Sequence, residues 1–483
     1  MSDLVENDTS GKQRDTLVMS GGVALSIVPI LWSVLVPPPH GFTPEMQSVL
    51  AVFAFSLVLW LSKAVPYVIS ATISVVLLFA LGGVDTFQDA TIGFASSLVF
   101  FLLLLLLLGQ AISKVDLDAW FASRLLSAGG HSHRPIRALS GYMLALSFVM
   151  PSAVARTVTF IPVVRQMTEA YGLGHDSDFE RTSFLVLGHI NPIASMTLMT
   201  GGGMAIITSE LVQSEIQPIT WVEWATLMIP PVVVLYVLSA FTAERFYDAR
   251  SEVEDATPDD TSPSQLTDDL EVTPDFEFSH DQLIVGSVMV SAVVLWIIGS
   301  FIGIPTIVPA ALAVGVLALP DIGIITADDV SEVSWGILFV IGTMFSILHA
   351  METTGTLTYL VDLITNMIPF GSLVYWQIVA ILLALAVLIR VFFSTASAAI
   401  IVVLPIIIRF GETLGINRLY LALSVLLIVG STTILPFNTT AVLLSFDRGP
   451  LSKIDVIVFG LVTMVYAAFV IVFAWTIYWP LLT

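Results

Sequence analysis

The chain has 483 residues, 56% of them hydrophobic and 11% charged, with a mean hydropathy of +0.94 and a formal net charge of −21. A soluble globular chain carries about 25% charged residues, so this composition excludes a soluble domain and predicts an all-α polytopic membrane protein. Zero cysteines exclude disulfides, iron–sulfur clusters and cysteine zinc sites, and no basic cluster invites nucleic acid.

In chain order, a polar head over residues 1–16, read as a cytoplasmic tail with no signal-cleavage site, leads into spans predicted at 18–36, 46–61, 66–81 and 98–112. A loop with Asp85 and Asp89 precedes the fourth span. Residues 114–127 carry Asp116, Asp118 and Arg124 on one polar side, the pattern of an interfacial amphipathic helix, and the glycine-rich 129–135 is a turn.

Residues 136–167 break the pattern. Met150-Pro151-Ser152-Ala153-Val154-Ala155-Arg156-Thr157 lies inside an apolar run, between arms of 12 residues (138–149) and 7 residues (158–164). A crossing needs about 20 residues, proline breaks helices, and arginine at the bilayer centre costs roughly 2.5–3.5 kcal/mol. Two crossings do not fit, and one would carry Pro and Arg in its middle. The segment is therefore predicted to be a re-entrant hairpin, whose non-helical tip is tolerated only when buried in protein or lining a wet cavity. Arg124, Arg134, Arg137, Arg165 and Arg181 then share one face with Lys12, Arg14 and Lys63, which the positive-inside rule places in the cytoplasm.

A fifth span starts at Ser183 and is interrupted at Thr200-Gly201-Gly202-Gly203, giving a broken helix over 183–211; a sixth follows at 221–241. Eleven acids and no Lys or Arg fall within 252–281, so 251–281 reads as an acidic cytoplasmic linker. Spans recur at 283–302, 307–319 and 335–349. A second hairpin follows at 374–409, a second broken helix at 419–446, interrupted at Leu435-Pro436-Phe437-Asn438-Thr439-Thr440, and a last span at 456–478.

The halves repeat. Ser152 and Thr395 lie 243 residues apart, each followed ten residues later by proline (Pro162, Pro405), and Thr200 and Thr439 lie 239 apart. About 11 transmembrane helices, six then five, make residues 17–250 and 282–483 two inverted repeats. The N-terminus is then cytoplasmic and the C-terminus outside, in a plasma membrane.

Several stretches resemble the divalent anion/sodium symporter family, which carries dicarboxylates, citrate and sulfate. They are Phe42-Thr43-Pro44-Glu45, Ala51-Val52-Phe53, Gly82-Gly83-Val84-Asp85-Thr86-Phe87 with Ala90, Gly93-Phe94-Ala95, and Trp335-Gly336-Ile337-Leu338 with Thr354-Gly355. Pro151-Ser152 and Ala155-Arg156-Thr157 resemble its citrate-type branch. The family's Ser-Asn-Thr signature is replaced by Ser152-Ala153-Val154 at the first tip and Thr395-Ala396-Ser397 at the second, so both signature asparagines are alanine. Its Thr-Pro-Pro-Asn breaks correspond to Gly201-Gly202-Gly203-Met204 and Thr439-Thr440-Ala441-Val442. The resemblance implies an elevator: hairpins and broken helices move as a transport domain against a scaffold domain that pairs two copies into a homodimer.

Ser152, Ala153, Val154, Arg156, Thr200, Gly201, Gly202, Thr395, Ala396, Ser397, Thr439 and Thr440 are the expected anion contacts. Ser152, Ala153, Thr200, Thr395, Ala396 and Asn438 are the expected oxygen ligands of a coupling sodium ion, with no other cofactor. Helix N-termini at the breaks offer N–H groups and positive dipole ends to an anion. The competing reading of Ser152 and Thr395 is a hydroxyl satisfied by its own helix turn. Arg156 either pairs with the substrate or neutralises helix C-terminal carbonyls; Arg390 reads as snorkelling or salt-bridged; His189, beside Asn191-Pro192, is a functional candidate or a hydrogen-bonded structural histidine. A cation antiporter would want an acid at a tip, and an enzyme a set such as HExxH or GxSxG; the sequence has neither. An exchanger or proton-coupled transporter on the same fold remains the alternative to sodium symport.

Overall fold

The computed structural model describes residues 2–117, 120, 134–148, 150, 152–256, 278–367, 370 and 373–482, and every regular element among them is a helix. That is the form in which an apolar chain satisfies its own backbone in lipid. Among the described residues, eight helices are long and apolar enough to cross a membrane, and four shorter apolar helices accompany them.

The chain forms two compact units. The first comprises Met1–Leu103, Ser334–Val374 and Glu412–Leu414. It holds helices Ser2–Leu35, Pro44–Ser62, Tyr67–Ala80, Phe87–Thr91, Trp335–Thr353 and Thr356–Met367, and the start of Ser97–Lys114. Here the family-like Gly93 meets the middle of Trp335–Thr353, the helix that the family-like Trp335-Gly336-Ile337-Leu338 opens. The Gly93 N–H donates to Ser346 Oγ at 3.0 Å, and a Cβ on Gly93 would lie 2.1 Å from the Gly342 carbonyl oxygen, so only glycine permits this approach. Thr43 caps Pro44–Ser62 by accepting from Met46 N at 3.2 Å, which is why that helix begins where it does.

The second unit comprises Leu104–Val333, Tyr375–Gly411 and Gly415–Thr483. The segment expected as the first hairpin holds Pro135–Leu146 and Ala153–Ala170, and the second holds Tyr375–Phe392 and Ala396–Thr413; these last two are each long and apolar enough to cross a membrane, not the half-length helices expected there. Between and after them lie two interrupted helices. The first runs through Asp178–Leu185, a π turn at Val186–Ile190 and Asn191–Ala194, then resumes as Gly203–Glu215. The second runs through Arg418–Ser431 and resumes as Thr440–Arg448. Residues 182–202 and 419–433 are buried without exception, so the interrupted helices are the core of this unit. Trp221–Phe246 packs on Lys453–Phe473, where Trp479 Nε1 donates to the Leu227 carbonyl at 3.0 Å.

The structure departs from the sequence reading at several element ends. The hairpin helices are longer than their apolar runs. Ala153–Ala170 continues through Pro162 and then through Arg165, Gln166 and Glu169, and Ala396–Thr413 continues through Pro405. A polar end stops an apolar run without stopping a helix. The first helix starts at Ser2, not at 18. Each break opens earlier than expected, at Ser195 and at Thr432, because neither 195–199 nor 432–434 contains a glycine or proline to signal it. Helices Phe87–Thr91, Ala249–Ala256, Ala327–Glu332 and Thr356–Met367 were not expected as separate elements. Ala249–Ala256 gives the acidic linker a folded start, where Glu252 accepts from the Phe179 N–H at 2.8 Å. Most of the predicted amphipathic helix at 114–127, the turn at 129–135, the linker beyond 256, and Pro151 of the first tip lie outside the described residues.

Candidate functional site

Four helix N-termini belong to the second unit's hairpins and breaks. Ser152 is the N-cap of Ala153–Ala170, its Oγ accepting from Ala155 N at 3.1 Å. Thr395 does the same for Ala396–Thr413, accepting from Ala398 N at 3.2 Å. Thr439 caps Thr440–Arg448, accepting from Val442 N at 3.0 Å. Gly202 stands at the corresponding place before Gly203–Glu215, with no side chain to cap it. The hydroxyls thus each take one N–H of their own first turn, leaving the other early N–H groups of each helix without an intrahelical partner. A hydroxyl used this way retains its proton and a lone pair.

Behind each tip sits a buried arginine. Arg156 is fully buried and donates from Nε to Asn191 Oδ1 at 2.6 Å, from Nη2 to Ser195 Oγ at 2.8 Å and to the Asn191 carbonyl at 3.3 Å, and from Nη1 to the Met150 carbonyl. Asn191 donates in turn to the Ala153 carbonyl at 2.8 Å and to Thr157 Oγ1 at 3.0 Å, and Thr157 donates to the Leu187 carbonyl. The first tip is thereby fixed to the helix that precedes the first break.

Arg390 repeats the arrangement with different sequence spacing. Also fully buried, it donates to the carbonyls of Phe393 at 2.8 Å, Val429 at 3.1 Å and Asn438 at 2.7 Å. Asn438 donates to the carbonyls of Val391 and Phe393 at 3.0 and 3.1 Å, and its Oδ1 accepts from Leu435 N. This corrects the expectation for Arg390. Among the described residues it neither snorkels nor forms a salt bridge, because the break and the tip leave carbonyls at helix ends that a guanidinium fork can collect. Neither arginine pairs with a carboxylate among the described residues.

Residues from the two halves of the chain also meet near these tips and breaks. A Cβ on Gly203 would lie 2.9 Å from Ser397 Oγ, so the helix resuming after the first break abuts the second tip. The reciprocal pair, Ala153–Ala170 and Thr440–Arg448, is packed together. Gly430 faces Met196 and Met204, where a Cβ would meet Met196 Sδ at 2.5 Å. Gly201 closes a tight turn, its N–H donating to Leu198 O at 2.9 Å, with Ser195 O only 2.7 Å from where a Cβ would stand.

The other expected site residues are placed as follows. Thr200 is buried, with its Oγ1 accepting from Trp221 Nε1 at 3.4 Å. Ala396 is buried, Ala153 and Ser397 are half-buried, and Val154 and Thr440 are exposed. Sequence reasoning passed over Asn191 and Ser195 as site members. Their signal was available: two polar residues four apart, on one face of a helix inside an apolar segment, next to a proline.

This arrangement gathers N–H donors, hydroxyls and two permanent positive charges, and it brings no carboxylate or metal-binding cluster of His, Asp and Glu among the described residues. Such a set favours an anion. Comparison with known proteins agrees in kind. Residues 20–483 match the model of the sodium:sulfate symporter transmembrane region. The chain is 25% identical to a protein named only as a membrane protein in Cupriavidus necator, covering 87% of this chain and 85% of that one. It is 23% identical to the putative malate transporter YflS of Bacillus subtilis, covering 68% of each. With the sodium-dependent dicarboxylate transporter SdcS of Staphylococcus aureus the identity is 21%, covering 89% of this chain and 85% of that one.

Proposed function

Because the chain belongs to the sodium:sulfate symporter family, we propose that it is a secondary active transporter of a small divalent anion: a dicarboxylate such as succinate or malate, citrate, or sulfate. The observation that carries this reading is the set of four helix N-termini, three with hydroxyl caps, at two tips and two breaks of one compact unit. In this reading Ser152, Thr395, Ser397 and Thr439 contact the anion, with Thr200, Gly201, Gly202 and Thr440 alongside. Sodium takes tip and break oxygens from Ser152, Ala153, Thr200, Thr395, Ala396 and Asn438. The hairpins and broken helices move as an elevator against a scaffold of the outer spans, and two copies pair through that scaffold. The N-terminus is cytoplasmic and the C-terminus outside.

A second reading, exchange or proton-coupled transport without sodium, is favoured by one observation. A sodium ion would want carbonyl oxygens from a tip and a break, and Arg156 and Arg390 already bridge tip carbonyls (Met150, Phe393) to oxygens of the interrupted helices (Asn191, Val429, Asn438). A guanidinium there supplies the positive charge that sodium would bring. In the same reading Arg156 acts on the anion through its field and not by direct contact.

The test is uptake of labelled succinate, malate, citrate and sulfate into proteoliposomes, with and without a sodium gradient. Sodium-stimulated uptake of one of them is the expected result. Uptake only by exchange against internal anion selects the second reading, and no movement of any of the four contradicts both.

A further inference from the structure

We propose that His189 is a proton-binding site that couples anion movement to a proton, an inference that rests on the transport function above. His189 sits in the π turn Val186–Ile190 of the first interrupted helix. Such turns are rare and concentrate at functional sites. The imidazole is 1% exposed, and neither Nδ1 nor Nε2 closes a hydrogen bond. The ring lies edge-on to Phe459 at 5.4 Å between centroids, with backbone oxygens of Thr433 and Val456 flanking it short of hydrogen-bond geometry.

Two residues packed on this turn carry unpartnered hydroxyls. Thr433 Oγ1 and Ser445 Oγ are buried and without hydrogen bonds among the described residues, and Ser445 Oγ lies 3.0 Å from where a Cβ on Gly188 would stand. Thr433 belongs to the second break, whose last residue, Thr439, caps the resumed helix. The imidazole therefore lies between the two interrupted helices that carry the anion site.

A neutral imidazole has one donor and one acceptor, and leaving both unpaired inside a protein is unfavourable. A side chain kept for packing would be apolar. A bound proton adds a second N–H donor, and the backbone oxygens of Thr433 and Val456 flank the ring to accept. The charged groups on the helices packed around the turn are engaged elsewhere. Arg156 bonds Asn191 and Ser195, Arg137 pairs with Glu244, Arg165 donates to the Arg448 carbonyl, and Asp455 accepts from the Ser452 N–H. Tyr236 donates to the Ser140 carbonyl, Glu180 meets His175, and Arg181 lies near Asp178 and over Tyr247. None of these, nor Glu169, Arg245, Asp447 or Lys453, bonds the imidazole. The compensating charge must come from the transported dianion, and by linkage each ligand then favours the other. One proton joins a ring nitrogen as the anion loads and leaves that nitrogen when the anion is released; only an N–H bond forms and breaks.

The test loads proteoliposomes with a pH-sensitive dye and follows labelled succinate, in wild type and His189→Gln. In wild type, succinate entry should carry protons with it, and one pH unit of inward proton gradient should raise accumulation about tenfold per coupled proton. His189→Gln should keep counterflow of labelled succinate against internal succinate while losing both proton effects. Succinate entry without proton movement in wild type overturns the proposal, and so does proton movement that persists in His189→Gln. Should wild type move no anion, the transport reading falls on its own, and nuclear magnetic resonance of 15N-histidine protein in succinate decides the site. A signal missing from His189→Gln that titrates between about pH 5 and 8 supports it; one unchanged across that range overturns it.

Discussion

Arg390 and Asn438 share one acceptor. The guanidinium Nη1 and the amide Nδ2 both donate to the Phe393 carbonyl, at 2.8 and 3.1 Å, while Arg390 Nη2 takes the Asn438 carbonyl at 2.7 Å. One residue before the second tip and one at the second break are thus tied through the same backbone oxygen. Replacing either leaves part of the other's work undone, so the two should couple. In thermal unfolding of detergent-solubilised protein, the cycle of Arg390→Leu, Asn438→Ala and the double variant should show a coupling energy of about 0.5–3 kcal/mol. Additive shifts in Tm would show that the shared carbonyl carries no stability.

Arg156 depends on the shape of its head group as well as its charge. Lysine retains the charge but has no planar fork to reach Asn191, Ser195 and the Met150 carbonyl together. Arg156→Lys should therefore lower uptake by roughly tenfold or more while the protein still folds and elutes as wild type on size exclusion. Uptake unchanged in Arg156→Lys would mean that charge alone suffices at the first tip.

The approach of Gly203 to Ser397 makes a steric prediction. A Cβ there would stand 2.9 Å from a hydroxyl that can rotate away, so Gly203→Ala should be mild. Gly203→Val adds two methyl groups and should displace the second tip, cutting uptake, and Ser397→Gly in that background should restore part of it. No loss in Gly203→Val would show that the contact does not position the tip.

Asp329 offers a pH test away from the membrane-spanning segments. Burial pushes its carboxyl up, but hydrogen bonds from Lys114 Nζ at 2.7 Å and from Thr326 outweigh this and hold it at about 2, against 3.8 ordinarily. A carboxyl depressed on folding stabilises above its unfolded value and loses that contribution as pH falls through its folded one. The Tm difference between wild type and Asp329→Asn should be constant above about pH 5 and shrink from about pH 4 toward 2. With Lys114 half exposed, added salt should also shrink it. A difference that grows on acidification would contradict the assignment.

Much of this arrangement was legible in the sequence because polar and backbone-breaking residues are rare in apolar segments. Pro151, Arg156 and the glycines at 201–203 mark the first tip and break, and Arg390, Thr395 and Asn438 mark the second. Helix ends were less legible. Arg165, Gln166 and Glu169 end an apolar run, yet the helix holds to Ala170, since hydrogen bonding and not hydropathy sets its length. The early start of the breaks was hidden because Ser195–Met199 and Thr432–Ile434 contain neither glycine nor proline. The partners of Arg390 were hidden for a different reason: backbone carbonyls from three distant positions leave no side-chain signature. Nothing in periodicity distinguishes a π turn at 186–190 from the α-helix around it.

The most direct test of an anion held between the tips uses the absence of cysteine from the chain. Ser397→Cys places a single thiol at the second tip, and its rate of reaction with a small membrane-permeant maleimide is measured with and without succinate, malate, citrate or sulfate. One of these anions should slow the reaction at a concentration matching its half-saturation for uptake, while a control Thr242→Cys on Trp221–Phe246 reacts at the same rate throughout. Labelling of Ser397→Cys that is indifferent to every anion that the protein transports would contradict the placement of the site.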